Sequence, residues 1–564
     1  MSSSPRRQNT IALPESFRLI VIPASFSDLA LTFDSTYLED LLNKGGYSFS
    51  GAEGSVKDYL ADQFLDRLSI TLDLAPAVTV SKSFSHYGAN TSEGTDADPV
   101  GFLKEVCNLS DEAVDFSAYD AVYVLYAGGN PADGGATDDH IWPRAAVLES
   151  GDAITLDGAS LKSYALSSEL MRCADGSLTL SSIGPICHEI SHLLGLPDMY
   201  DSDYDGSGGI DPGLWTTSVM SKGCYNNDGR TPPMYNAVEL EYLGLAEPER
   251  ISEGNHSLKP LTSGRSFLRM DGGDENEYYL FEVRSQDSWD KYLEGSGMLV
   301  YHIDRTSNTA GYSTRLDRVL TAGERWLFNE VNSRPDHPCC DLIEADPEAT
   351  SAAAVFFPRL MHTALSATTV PAITFYDGTV PSYSLSSISK SSEGVSFKVE
   401  GPVALELADV YQNMAILAWS ISGSSGAKNC SVSVADPTGE TVFERNLSIG
   451  QDGLYHCRLD RLAPLTTYTL SVVHDSSELQ DVTQFQFTTR AIAGKTFIYM
   501  VKGGRIPLCV YNADNVEFVT WKLDGNNIRP ESDGYYTLPE SGELRAHVHY
   551  KDGNEEILIK RLKK

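Results

Sequence analysis

The sequence predicts a multidomain protein: an α/β domain continued by a β-rich extension and followed by two β-sandwich modules. Its 564 residues exceed what a single hydrophobic core organises, since cores stop growing near ~250–300 residues. Up to about residue 250, strand-like and helix-like segments alternate, the pattern of an α/β domain. Beyond residue 402, short β-branched and aromatic runs recur at regular spacing, the pattern of a β-sandwich.

In chain order, FRLIVIPASFSD (17–28) reads as a buried strand that leaves into a loop. In SVKDYLADQFLDRL (55–68), Val56, Tyr59, Leu60, Phe64 and Leu68 fall near one helical face. ITLDL returns as a strand, and YDAVYVLYAGG (119–129) is another, ended by Gly128-Gly129. From 255 to 401 the chain turns mostly β, led by EYYLFEVR (277–284) and GMLVYHID (297–304). His302, inside the second of these, reads as a structural histidine. Gly401-Pro402 marks a join. After it, AILAWSI (415–421) carries Trp419, and LAPLTTY (462–468) has an L-x-P-x-T-x-Y arrangement that resembles the fibronectin type III signature. Tyr468 is then expected to bury its ring and return its hydroxyl to the backbone as a tyrosine corner. Leu544, Ala546, Val548 and Tyr550 alternate before Asp552-Gly553, a hairpin turn into EEILIKRL. The expected divisions are 1–254 (the α/β domain), 255–401 (its β-rich continuation), 402–491 (a fibronectin type III-like sandwich) and 492–564 (a C-terminal sandwich).

Composition excludes several classes. With 43 Lys+Arg against 78 Asp+Glu, the net charge of −35 repels nucleic acid and anionic membranes. No run approaches the ~20 apolar residues needed to span a bilayer. Nine scattered cysteines include no CxxC pair and give no disulfide framework or compartment. The N-terminal MSSSPRRQNTIALPES has no apolar h-region. It fits a cytosolic protein or a mature chain without its leader. Nothing in the sequence speaks to oligomeric state.

The chemistry is carried by SSIGPICHEISHLLGLPDMYD (181–201). Its centre, His188-Glu189-Ile190-Ser191-His192, is an HExxH pentapeptide. Residues four apart share a helix face, so the two imidazoles can converge on one zinc ion, with Glu189 placed as general base. Alone, the pentapeptide arises by chance on the order of once per hundred such chains. Its context is more specific: Ile186, Cys187 and Ile190 suit a buried helix, Gly195 can end that helix in a sharp turn, and Pro197 blocks its continuation. Such a turn brings Asp198 back as a third ligand.

HExxHxxG with a third ligand and a later methionine turn resembles the metzincin metallopeptidases. The aspartate variant HLLGLPDMYD is similar to the immune inhibitor A family of secreted bacterial metallopeptidases. VIPASFSD, SVKDYLADQF, VLYAGG, IWPR and GSGMLVYHID extend that likeness over about residues 15–400. The resemblance implies a metzincin-like fold, zinc held by His188, His192 and Asp198, export from a bacterial cell, and protein or peptide substrates. It also implies that Met220, in LWTTSVMSKG, forms an apolar floor beneath the ligands. Lys222, Tyr225 and Tyr235 are candidates to stabilise the oxyanion, and the sequence does not choose among them. Asp201, Asp203 and Asp205-Gly206 mimic the start of a calcium loop, but Pro212 replaces its closing glutamate. A Ca2+ site and a solvated acidic loop are both consistent with that pattern. Two functions follow: a secreted zinc endopeptidase, or a surface binding protein built on an inactive peptidase scaffold. A metal-dependent hydrolase of non-peptide substrates is the weaker third.

Overall fold

The apolar run near the start of the chain forms a strand, Ser16–Ser25, and its alternate residues serve two cores. Leu19 and Val21 face one, Ile20 and Ile22 the other, as the two-residue strand period requires. The computed structural model describes residues 13–562, apart from 93, 149, 402, 422–428, 474–481 and 502–503. Pro402 of the predicted join therefore lies outside the described residues. The chain divides into two units: Met1–Ile251, Asn255–Tyr376 and Leu385–Lys398 in one, and Ser252–Gly254, Asp377–Ser384 and Val399–Lys564 in the other.

In the first unit, Ser69–Leu74, Ser16–Ser25, Ala121–Tyr126, Ser163–Ser168 and Arg144–Val147 lie side by side in that order. The first four are parallel and Arg144–Val147 is an antiparallel edge. Ala121–Tyr126 is buried at every residue, as expected where both sheet faces are covered. On one face, helix Val56–Phe64 begins with a reciprocal Ser55–Asp58 capping box and buries Val56, Tyr59, Leu60 and Phe64. It ends earlier than the periodicity predicts. Leu65 takes a positive φ of 50°, so the chain leaves the helix and Leu68 enters the core ahead of the next strand. On the other face, helix Pro99–Ser110, capped by Asp98, buries Phe102, Leu103, Val106 and Cys107. Helix Ile183–Leu193, which carries HExxH, packs on the strands Ser163–Ser168 and Arg144–Val147.

A second sheet in this unit orders Glu249–Arg250, Leu268–Asp271, Glu277–Arg284, Gly297–Asp304 and Cys340–Leu342. Its two long central strands are buried along their whole length. Leu280, Leu299 and Tyr301 join the same apolar core as Ile183, Ile186 and Ile190 of the HExxH helix. His302 is held by Glu277 at 2.9 Å and stacks on Tyr279, a packing role.

In the second unit, Val403–Val410, Met414–Ile421 and Tyr455–Asp460 form one sheet. Thr441–Ser448, Asn429–Ala435, Thr467–Val473 and Val482–Thr488 form another. Residues of both, including Trp419, Val432, Tyr455 and Leu470, share one core. The Tyr468 hydroxyl accepts the Ala463 N–H at 2.8 Å. Tyr468→Phe is therefore expected to destabilise this region by about 1 kcal/mol, read as a lower midpoint in urea unfolding of the full chain. Beyond it, Val516–Leu523, Gly542–Tyr550 and Glu555–Leu562, with short Asn526–Asn527, form a four-stranded antiparallel sheet. Leu544, Ala546 and Val548 are its buried face. All nine cysteines are buried free thiols.

Candidate metal centre

The HExxH helix stops where the sequence says it should. Gly195 adopts φ +103°, its N–H donates to His192 O at 2.9 Å, and Leu196 N–H donates to Ser191 O at 3.0 Å. The chain thus reverses, and Asp198 returns to the helix face that carries both histidines. Asp198 Oδ1 lies 3.3 Å from His188 Nε2 and 3.1 Å from His192 Nε2. The three donor atoms all fall within 4.8 Å of one another.

The orientation of each ring is fixed from behind. His188 Nδ1–H donates to Val219 O at 2.8 Å, and His192 Nδ1–H donates to Leu196 O at 2.7 Å. A carbonyl only accepts, so each Nδ1 carries a proton, and each Nε2 is the nitrogen left to offer a lone pair at the shared point once it is deprotonated. Asp198 is fixed reciprocally by Asn329: its Oδ2 accepts the amide Nδ2–H at 2.6 Å, and its backbone N–H donates to Asn329 Oδ1. Asp198 Oδ1 and Glu189 Oε2 are buried without a hydrogen-bond partner. Two imidazole nitrogens and one orphaned carboxylate oxygen match the donor set of a zinc-type divalent cation.

Electrostatics agree. Burial disfavours a charged His192, yet Asp198 outweighs it and raises the imidazole to about 9. Burial pushes Asp198 up, but both histidines outweigh it and hold the carboxyl well below its usual range. A proton on His192 competes with a metal below about pH 9. Zinc uptake by chelator-treated protein near neutral pH is therefore expected to release protons, and apparent affinity to fall as pH falls. Calorimetry in buffers of different ionisation enthalpy checks this. Glu189 is raised above the usual carboxylate range by burial, against the pull of His188 and His192.

Met220 is fully buried in the turn that supplies the Val219 carbonyl. Its N–H donates to Ser218 Oγ at 2.9 Å, and its carbonyl accepts Met199 N–H at 2.8 Å, just beyond Asp198. Ser218 Oγ in turn donates to Glu239, and Thr217 O accepts from buried Arg284. Of the oxyanion candidates, Tyr235 is fully buried, with its hydroxyl 2.6 Å from that of Ser191. Lys222 and Tyr225 are exposed.

Asp201 accepts backbone N–H groups from Asp203 and Asp211, and Asp203 accepts the hydroxyls of Ser207 and Thr314. Burial raises the Asp201 carboxyl to about 6. The Asp205 side chain lies outside the described residues. Among the described residues these aspartates do not gather with a third ligand.

Sequence reasoning missed Asn329, which lies 131 residues after Asp198. A lone asparagine in a loop carries no spacing signal. Tyr200, inside the 181–201 motif, sets its ring near-parallel to that of His188 at 6.4 Å between centroids. Asn329→Ala is expected to lower metal affinity by roughly 10–100-fold, measured by competition with a chromogenic chelator.

Residues 117–245 match the family described as immune inhibitor A peptidase M6, catalytic domain. A curated relative, Immune inhibitor A of Bacillus thuringiensis subsp. alesti, is 26% identical over 363 residues, covering 56% of this chain and 50% of the relative. The chain thus spans about half the length of that relative. Among solved structures, a two-domain fibronectin type III segment of chicken tenascin matches 28% of this chain and 98% of its own, at 14% identity and a TM-score of 0.14. A computationally redesigned β-sandwich protein matches 16% of this chain and 90% of its own, at 15% identity and a TM-score of 0.14. Likenesses this weak carry no argument. The HExxH helix and the returning aspartate both lie inside the segment, 117–245, that is similar to the immune inhibitor A peptidase M6 catalytic domain.

Proposed function

We propose that this protein is an exported zinc-dependent endopeptidase, with His188, His192 and Asp198 as metal ligands and Glu189 as general base. One observation carries the reading: three donor atoms converge within 4.8 Å, two of them on the helix that also carries the buried Glu189. A divalent cation held there supplies Lewis acidity, polarising a peptide carbonyl and acidifying water. Glu189, its proton affinity raised by burial, takes the proton of the attacking water and passes it to the leaving amine nitrogen. Arg144–Val147 ends its sheet and packs beside the helix. An extended peptide can add to such an edge by main-chain hydrogen bonds, which favours polypeptide over small-molecule substrates. In this reading Met220 floors the site as a packing residue. The β-modules after residue 402 serve as spacers or adhesion units outside the cell.

The test is casein hydrolysis by the full chain before and after a strong chelator, with zinc then restored. Loss and recovery of cleavage support the proposal. If neither casein nor a broad peptide library is cleaved by zinc-loaded protein, the binding-scaffold reading replaces it. The intact ligand set and Glu189 speak against that scaffold. Calcium at Asp201, Asp203 and Asp205 is a secondary proposal. It fails if added Ca2+ stabilises the wild type no more than Asp201→Asn.

A further inference from the structure

The solvent-facing side of the C-terminal sheet carries a second convergence of metal-donor side chains, in a module that has no part in the catalytic reading. Along Gly542–Tyr550, Leu544, Ala546 and Val548 are buried in the core. Strand alternation therefore turns His547 and His549 to the opposite face, side by side. The Asp552-Gly553 hairpin sets the register of the next strand so that Glu555 stands directly across from His549. Directly opposed residues have Cβ atoms ~4.5–5.5 Å apart, and the glutamate reaches both rings. His547 Nε2 lies 3.0 Å from Glu555 Oε2, and His549 Nδ1 lies 3.0 Å from Glu555 Oε1. The ring centroids are 4.4 Å apart. All three donor atoms fall within 4.8 Å of one another.

The surroundings favour a bound cation over a bare ion pair. The His549 ring is stacked on Phe518 of the neighbouring strand at 4.2 Å and 20°, which limits its rotation. On the same face, one pair further along the strands, Arg545 is paired with Glu543 at 2.6 Å, with Lys522 opposite it. Donor atoms around one tetrahedral zinc lie about 3.3 Å apart, so the present contacts need only small side-chain adjustments to accept one. The residues are partly exposed, at 38%, 21% and 55% of their side chains. Water or a fourth ligand from outside can complete the coordination. A surface His–Glu pair alone is worth ~0–1 kcal/mol, which gives stability little reason to gather two imidazoles on one carboxylate.

We propose that His547, His549 and Glu555 form a surface site for a divalent transition metal of the zinc class, separate from the HExxH centre. The two sites are told apart by titrating Zn2+ into four forms of the full chain: wild type, His188→Ala/His192→Ala, His547→Gln/His549→Gln, and Glu555→Gln. The wild type is expected to bind about two equivalents, and each double variant about one. Glu555→Gln keeps a hydrogen-bonding side chain but loses the charge, and is expected to weaken the second equivalent at least ~10-fold. Circular dichroism confirms folding of each form, and the His547→Gln/His549→Gln variant is expected to keep the wild-type rate of casein cleavage. If His188→Ala/His192→Ala binds no zinc, or if the second equivalent survives in His547→Gln/His549→Gln, the surface site is refuted. If His188→Ala/His192→Ala still binds the wild-type number of equivalents, the helix site fails and the surface site is judged by its own variants.

Discussion

Casein cleavage by Glu189→Ala is expected to fall by roughly 10²–10⁴-fold, the range for losing a general base, with zinc content unchanged. In the proposed centre the ligand nitrogens are those of His188 and His192, whose rings are held by the carbonyls of Val219 and Leu196, so removing Glu189 leaves these donors in place. Zinc analysis and rate must be measured on the same preparation. A variant that keeps zinc and loses activity assigns the carboxyl to proton transfer. A variant that keeps both rules out Glu189 as the base. Loss of zinc along with activity would mean that Glu189 is needed to assemble the centre, and the general-base role would rest on no kinetic support. Glu189→Asp, which retains a shortened carboxylate, should recover part of the rate if position matters as well as charge.

The largest stability effect is expected at Arg284, whose side chain is fully enclosed. Its guanidinium pairs with Asp290 and with Glu282, the latter at 3.2 Å, and donates to Thr217 O at 3.3 Å and Met234 O at 3.0 Å. Burial works against its charge, but Asp290 and Glu282 outweigh it and hold the proton firmly. Arg284→Met removes the cation that neutralises two buried carboxylates, at a cost of about 3–5 kcal/mol, although Ala237, Tyr301 and Met234 still donate to them. The Thr217 carbonyl belongs to the turn that continues to Val219 and Met220, so the same substitution loosens the support of His188. Chemical denaturation of zinc-loaded and zinc-free protein should show a lower midpoint in both forms. An unchanged midpoint would mean that the network reorganises without the arginine.

The reading of the sequence succeeded where a physical signal is local. HExxH places two imidazoles on one helix face because the helical period does so, and Gly195 with Pro197 sets the reversal that returns Asp198. Tyr468 and the strand Leu544–Tyr550 were legible for the same reason, since a corner motif and a two-residue alternation act over a few residues. What stayed hidden depends on contacts distant in the chain. Asn329 reaches Asp198 across 131 residues, and Arg284 reaches the Met220 turn across 67 to its Thr217 carbonyl. Apolar periodicity runs on to Leu68 although the helix ends at Phe64, because periodicity does not register the positive φ at Leu65. The shared core of the HExxH helix and the strands Glu277–Arg284 and Gly297–Asp304 was equally invisible, for composition shifts there without a break in packing.

The reciprocal hydrogen bonds between Asp198 and Asn329 bear on how this chain can be divided. Two of the three candidate metal donors lean on main-chain carbonyls, which no point substitution deletes. The third leans on a carboxamide that lies beyond residue 245, where the match to the catalytic family ends. A fragment cut at that boundary would hold both histidines and lose the brace on the aspartate. The smallest transferable catalytic cassette must therefore run past residue 329. Any recombination or inheritance that exchanges the matched segment alone must bring a compatible amide with it.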